Sequence, residues 1–326
     1  MEHADIRLAA NALREALAGV QNVRIGTHQN PDGDALGSAI ALSMYLDEIG
    51  IRNEVLCHHP APRSLQFLPG ANRVRQAPME PHADLAIMVD LESTDRLVSV
   101  AEPIRACPRL VVIDHHVPHE QPGDVRIVDT TAAATAVILT NLLRELGATF
   151  SPEMSTLLLC GIVTDTGSFR YRNTNAEAME ASAYLLARGA DVNRISEEIF
   201  QRRPLSAARL LGFTLDHMRM TANGQIAWSS ISHQEFAAAN GSDEDTEGFV
   251  NELLFIDCVR IAAIFRETKP GFIRCSVRSR GDLDVAQVAR NFGGGGHRNA
   301  AGCTFESSIP EAESQLIAQL EQCLAS

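Results

Sequence analysis

Two short apolar runs in this chain end on acid: residues 84–90 read D-L-A-I-M-V-D and residues 109–116 read R-L-V-V-I-D-H-H. Unbroken runs of this length, rich in Val and Ile, suit strands buried on both faces, as in a parallel sheet covered by helices on each side. Such a sheet leaves few places for polar chemistry. Its carboxyl edge is one, because open α/β sheets bind their ligands outside the ends of the strands. Asp90 falls at that edge, as does the acid and imidazole cluster at 114–116.

A third stretch points to the same edge. Residues 27–38 read T-H-Q-N-P-D-G-D-A-L-G-S, between an apolar run at 23–25 and an amphipathic one at 39–49. This predicts a strand-to-helix loop in which Asn30-Pro31 and Gly33 force a tight turn. The turn brings His28, Asp32 and Asp34 to a common point, with Asp34 as the plain choice for a helix cap. A fourth apolar run, in the helical pattern from 152, ends on Asp165. Together His28, Asp32, Asp34, Asp90, His115 and Asp165 supply six oxygen or nitrogen ligands from what read as four strand ends. Four crowded carboxylates repel one another unless cations join them. Two divalent ions, ~3.5–4 Å apart and bridged by a shared carboxylate, resolve the repulsion and can clamp both oxygens of a phosphoryl displacement. With no thiolate in the set, two Mn²⁺ or Mg²⁺ ions are expected rather than structural zinc. The neighbouring pair His58/His59 is placed outside the site, since adjacent side chains on an extended segment point to opposite faces.

The strand and helix alternation through about residue 170 predicts a mostly parallel α/β domain. Consecutive helices follow at 176–187, 192–200 and 205–218, broken at Arg202-Arg203-Pro204. Beyond them lies a smaller α/β domain with strands at 225–231, 259–266 and 272–278 and helices at 246–255, 285–292 and 311–324. The expected division is a metal-binding catalytic domain at 1–190, a helical connector at 191–215 and a substrate-binding domain at 216–326. A chain of 326 residues with 45% hydrophobic content is long enough for two cores.

The net charge of −13 argues against a nucleic-acid coat protein. Residues 260–298 reverse that sign, with eight Lys and Arg against three acids, and can hold an anion. No apolar run nears the ~20 residues that cross a bilayer, and the N-terminus lacks a signal-peptide pattern, so no membrane partner and a cytoplasmic location are expected. Seven cysteines without C-x-x-C pairing fit reduced, mostly buried thiols.

Five motifs now stand in order along nearly the whole chain: H-Q-N-P-D-G-D-A-L-G-S at 28–38, V-D at 89–90, D-H-H at 114–116, G-I-V-T-D-T-G-S-F at 161–169 and G-G-G-G-H-R-N-A-A-G at 293–302. In this combination the chain resembles the DHH/DHHA1 phosphoesterases, and in layout the compact NrnA-like oligoribonuclease and pAp-phosphatase members. The resemblance implies that His28, Asp32 and Asp34 divide between two metals, that Asp90 bridges them, and that His115 and Asp165 complete the second site. It implies that His116 touches the substrate phosphate. In the second domain Gly294, Gly295 and Gly296 would bring backbone N–H groups close to an anion, with His297, Arg298 and Arg278 as charged donors.

The function so implied is metal-dependent hydrolysis of very short RNA and of 3′-phosphoadenosine 5′-phosphate (pAp), the second domain limiting substrate length by capping the metal centre. Partners would be short RNA or small nucleotides, with a homodimer admitted. A cyclic dinucleotide phosphodiesterase is the nearest alternative, and a catalytically inactive nucleotide-binding module the alternative of another class. The sequence departs from the family pattern at 132–137, where an acid or amide is usual near Val137. Thr135 keeps one hydroxyl, and a polar contact is expected to be missing there.

Overall fold

The computed structural model describes residues 5–91, 93–117 and 121–325. It divides into two units, Met1–Arg202 and Arg203–Ser326. Residues 191–202 therefore belong to the first unit and 203–215 to the second. The boundary follows a π-helical turn at Glu197–Gln201, where Arg202-Arg203-Pro204 interrupts the helices.

In chain order the first unit contains α1 (Ile6–Leu17), β1 (Asn22–Gly26), α2 (Gly33–Glu48), β2 (Arg52–Leu56), β3 (Val74–Arg75), β4 (Leu85–Val89) and α3 (Ala101–Arg105). There follow β5 (Leu110–Asp114), β6 (Val125–Val128), α4 (Thr135–Leu146), α5 (Pro152–Asp165), α6 (Ala176–Leu186) and α7 (Val192–Ser196). The strands form one sheet in the order β3-β2-β1-β4-β5-β6, parallel throughout. As the runs at 84–90 and 109–116 predict, every residue of β4 is buried and β5 nearly so. Strand order reverses between β1 and β4, which opens a crevice at their carboxyl ends. The short edge strands β3 and β6 carry too little pattern to be read from sequence.

Helix α2 starts at Gly33, six residues before the amphipathic run suggested. Asp32, not Asp34, is the cap: its carboxylate accepts the N–H groups of Asp34 and Ala35. The helix is buried from Gly33 to Ser43, so its first turns lack the polar face that marks a surface helix. It crosses α5 at close range. A Cβ on Gly37 would lie 2.3 Å from Leu157 O, and one on Gly161 would lie 2.6 Å from Asp34 Oδ1. The crossing carries Asp34, at the start of α2, towards Asp165, at the end of α5. Around it Leu36, Ile40, Leu42, Leu46, Leu157 and Leu158 are fully buried, each contributing roughly 1.5–3 kcal/mol by leaving water.

The second unit runs α8 (Leu205–Asp216), β7 (Arg219–Met220), β8 (Ile226–Ile231), α9 (His233–Ala239), α10 (Phe249–Leu254), β9 (Ile261–Lys269), β10 (Phe272–Ser279), α11 (Val285–Arg290), β11 (Gly295–His297), β12 (Ala300–Glu306) and α12 (Ile309–Ala325). Its sheet order is β11-β12-β10-β9-β8-β7, with β8 and β9 parallel and the other neighbours antiparallel. Alternate residues face two cores: Ile261, Phe265 and Val277 pack with α11 and α12, while Ala262 and Ile264 pack with α8, α9 and α10. Among the described residues no helix is long and apolar enough to cross a membrane.

Candidate metal centre

Three strand ends and two helix ends, rather than four strand ends, deliver the candidate ligands. His28 stands two residues beyond β1, Asp90 follows β4 and His115 follows β5, while Asp32 and Asp34 open α2. Asp165 is the last residue of α5, so the sequence reading of a fourth strand end is corrected here. The apolar run before it serves helix α5, buried on nearly every face. A carboxylate at a helix C-terminus faces the negative end of the helix dipole, which favours a nearby cation.

Among the described residues, three groups have ligand atoms close enough to share an ion: His28, Asp32 and Asp90; Asp34, His115 and Asp165; and Asp90, His115 and His116. Asp90 belongs to the first and third groups, to which it turns different oxygens, and His115 belongs to the second and third. Asp90 Oδ2 lies 3.4 Å from His28 Nε2, and its Oδ1 lies 3.6 Å from both His115 Nε2 and His116 Nδ1. His28 Nε2 is also 3.8 Å from Asp32 Oδ2, and His115 Nε2 is 3.2 Å from Asp165 Oδ2. Each ring is aimed by its other nitrogen: His28 Nδ1 pairs with Gln29 O at 2.8 Å and His115 Nδ1 with Ala132 O at 3.2 Å. That leaves His115 Nε2 buried and, among the described residues, without an aligned hydrogen-bond partner, although Asp165 Oδ2 stands 3.2 Å away. A buried orphan nitrogen ringed by carboxylates is a poor resting place for a neutral imidazole and a good one for a cation. The donor set, imidazole and carboxylate without thiolate, fits a divalent metal.

The electrostatics agree. Burial and the charges of Asp90 and Asp165 push the Asp34 carboxyl well above its ordinary range, and burial raises Asp165 to about 6. Burial alone would also raise Asp90, but the three surrounding histidines hold it below the usual carboxylate range. Burial opposes the charged form of His28, yet the Asp90 hydrogen bond and the Asp32 charge outweigh it and bring the ring to about 9. Without a metal, protons on the histidines balance the carboxylates.

Several supports had little sequence signal. The first turn of α4 points at Asp34, whose Oδ2 accepts Thr135 N–H at 2.6 Å and whose Oδ1 accepts Ala136 N–H at 2.8 Å. Thr135 Oγ1 donates to Asp90 Oδ1 at 3.0 Å. Val137, the next residue in the same turn, is fully buried in the apolar core, so a polar residue is not what that position holds here. Asp114 went without a role in the sequence reading. Its Oδ1 accepts the backbone N–H of His115 at 2.8 Å and of His116 at 3.2 Å, and pairs with His116 Nδ1 at 2.8 Å. Burial opposes protonation of His116, but Asp114 and Asp90 raise its ring above the ordinary value.

The backbone is strained around the ligands. Asp90 has φ 57°, and Gly167, Ser168 and Phe169 follow one another at 55°, 60° and 62°. A left-handed non-glycine residue costs about 1–2 kcal/mol, and such strain concentrates at functional sites.

His58 and His59 join none of the three groups. Their rings do not point apart as an extended segment would place them; they meet edge to face at 4.3 Å. The reason is a bend after β2: Asn30 N–H donates to His59 Nδ1, and His58 Nδ1 pairs with Ser99 Oγ.

In the second unit the glycine motif is partly strand. Gly294 N–H donates to Ala289 O, so it is not available to an anion. Cβ atoms on Gly294 and Gly296 would strike Gly302 O and Ala300 O at 2.1 and 2.3 Å, whereas Gly295 faces open space. Two of the three glycines thus let β11 lie against β12. Arg298 is exposed and donates through Nε and a terminal nitrogen to Asp282 O. Arg278 donates to Val277 O at 3.1 Å. The His297 side chain lies outside the described residues.

Residues 22–162 match the DHH family, N-terminal domain, and residues 225–326 match the DHHA1 domain. The bifunctional oligoribonuclease and PAP phosphatase NrnA of Thermus thermophilus is 32% identical, over 92% of this chain and 88% of that protein. The cyclic-di-AMP phosphodiesterase PdeA of Listeria monocytogenes is 25% identical over 97% of this chain, which spans half of that longer protein. The crystal structure of an exopolyphosphatase-related protein from Bacteroides fragilis superposes with a TM-score of 0.91 at 27% identity, covering 97% of this chain and 96% of that one. By motif, fold and relatives, this chain belongs to the DHH/DHHA1 family of phosphoesterases.

Proposed function

We propose that this phosphoesterase uses two divalent cations, Mn²⁺ for preference or Mg²⁺, to hydrolyse short oligoribonucleotides and pAp in the cytoplasm. The observation that carries the two-ion reading is Asp90, whose Oδ2 faces His28 while its Oδ1 faces His115 and His116. His28 and Asp32 would hold one ion, Asp34, His115 and Asp165 the other, and Asp90 both. Oxygen and imidazole donors favour Mn²⁺ over the thiolate-loving metals. Bound there, such ions supply Lewis-acid polarisation of a phosphoryl oxygen and lower the pKa of the attacking water.

The chain's own side chains supply the rest. Asp114 holds His116 by Nδ1, which fixes the ring's direction and, with Asp90, favours its protonated form. A protonated His116 can donate to a phosphoryl or leaving oxygen. In the second unit Arg298, Arg278 and the open Gly295 are the groups we assign to substrate, together with His297, for which the sequence motif alone speaks. Seven free thiols fit a reducing compartment.

A product-resolved assay with Mn²⁺ tests the substrate class, offering a diribonucleotide, a longer RNA, pAp and cyclic-di-AMP side by side. Fast turnover of the dinucleotide and pAp is expected. Turnover confined to the cyclic dinucleotide would transfer the protein to the other activity named among its relatives.

A further inference from the structure

The strained turn after Asp165 is held from several sides. Phe169 N–H donates to Thr166 Oγ1 at 3.1 Å, Arg170 Nε donates to Gly167 O at 2.6 Å, and the Phe169 ring packs against the core. Strained backbone persists only where its surroundings over-determine it. One further support differs in kind, because it leaves the turn. Asn173 Nδ2 donates to Asp165 O at 3.1 Å and also to Ala133 O at 3.0 Å, forty residues earlier in the chain.

The segment it reaches aims three of the other candidate ligands. Ala132 O pairs with His115 Nδ1, Thr135 N–H and Ala136 N–H hold Asp34, and Thr135 Oγ1 holds Asp90. A single side-chain amide therefore joins the backbone that carries Asp165 to the backbone that orients His115, Asp34 and Asp90. We propose that Asn173 is a positioning residue of the metal centre, keeping Asp165 opposite His115, where their Oδ2 and Nε2 atoms lie 3.2 Å apart. The inference rests on the metal-centre reading above. Asn173 touches neither ion nor substrate in this role; it acts through two carbonyl groups.

Asn175 offers a comparison within the same loop. Its Nδ2 donates to Thr131 O at 3.0 Å and its Oδ1 caps α6 through Ala178 N–H at 2.9 Å. It ties down the same loop, but among the described residues its side-chain hydrogen bonds reach neither Asp165 nor Ala133. If Asn173 merely stiffened the loop, removing either asparagine would have the same consequence.

The experiment is a Mn²⁺ titration of the metal-free full chain, by calorimetry and by loss of the free-ion electron paramagnetic resonance signal, with thermal melts alongside. Wild type is compared with Asn173→Ala, Asn173→Leu and Asn175→Ala; the leucine keeps the volume and lacks the donors. Both Asn173 variants should bind Mn²⁺ about 10–100-fold more weakly, the usual cost of losing a partner that orients a metal ligand. Asn175→Ala should melt lower yet keep near wild-type affinity. Excess Mn²⁺ should restore turnover in the Asn173 variants. Affinity within about threefold of wild type in a folded Asn173→Leu, or equal losses in Asn173→Ala and Asn175→Ala, overturns the proposal. Wild type that binds no Mn²⁺ would instead refute the metal-centre reading.

Discussion

Thr135 Oγ1 donates to Asp90 Oδ1 at 3.0 Å, inside a fully buried pair at the start of α4. The hydroxyl acts on the same oxygen that faces His115 and His116, so it sets the orientation of the carboxylate proposed above to serve both ions. Thr135→Val keeps the shape and deletes the donor. Its kcat should fall about 10–100-fold, the range for partners of metal ligands, with the thermal transition still cooperative. Thr135→Ser should recover most of the activity. A valine variant with wild-type kcat and Mn²⁺ affinity would remove Thr135 from the site.

The pH dependence of metal binding follows from His28. In the metal-free protein burial works against its charge, but Asp90 and Asp32 prevail and bring the ring to about 9. A histidine raised from about 6.5 to that value adds stability fully present below about 6.5 and lost as pH rises through about 9. A metal ligand must be neutral, so binding expels the proton. Mn²⁺ affinity should therefore climb from pH 6.5 towards 9 and then level off. Calorimetry at pH 7.5 in buffers of different ionisation enthalpy should report proton release. An affinity flat across this range would mean that His28 does not ligate.

Much of this arrangement was legible in the sequence, for physical reasons that can be named. The strands β4 and β5 announce themselves because burial on both faces demands unbroken apolar runs, and an acid ending such a run stands out. The start of α2 was missed because Pro31 and Gly33 look like turn residues, while Gly33 is in fact the first helical residue after the Asp32 cap. Asp165 was counted among the strand ends, although the run from 152 reads as helix, because an acid closes that apolar run as Asp90 closes the one at β4. The grip on Asp34 uses the backbone N–H groups of Thr135 and Ala136, and backbone donors leave no mark on a sequence. Strand β12 reads A-A-G-C-T-F-E, whose small residues lack the branched and aromatic signature of a strand.

Helix contact gives a stability prediction. A Cβ at Gly37 would lie 2.3 Å from Leu157 O, a backbone atom of α5 that cannot swing aside. Gly37→Ala should destabilise the protein by about 1–3 kcal/mol through overpacking, although alanine is the better helix former. Urea melts would measure it. Because the same crossing carries Asp34 towards Asp165, Mn²⁺ affinity should fall with stability. A stabilised variant would show that α2 and α5 do not approach this closely.

The last prediction separates binding from chemistry. Arg298 is exposed, and its guanidinium spends two donors on Asp282 O, which anchors the side chain while other N–H groups remain for a phosphate. If Arg298 holds the part of the substrate beyond the scissile bond, its loss leaves the metal ligands intact and removes positioning alone. Arg298→Ala should then lose about 1.5–3 kcal/mol of transition-state binding for a diribonucleotide, the worth of a charged hydrogen bond, chiefly through KM. Bis-p-nitrophenyl phosphate offers no second nucleotide to grip, so its kcat/KM should hardly change. The comparison controls for misfolding, because a damaged fold or metal centre slows both substrates alike. Equal losses on the two esters would assign Arg298, through its bond to Asp282 O, to the support of its own loop, and the charged groups of the glycine motif would no longer stand as the substrate grip.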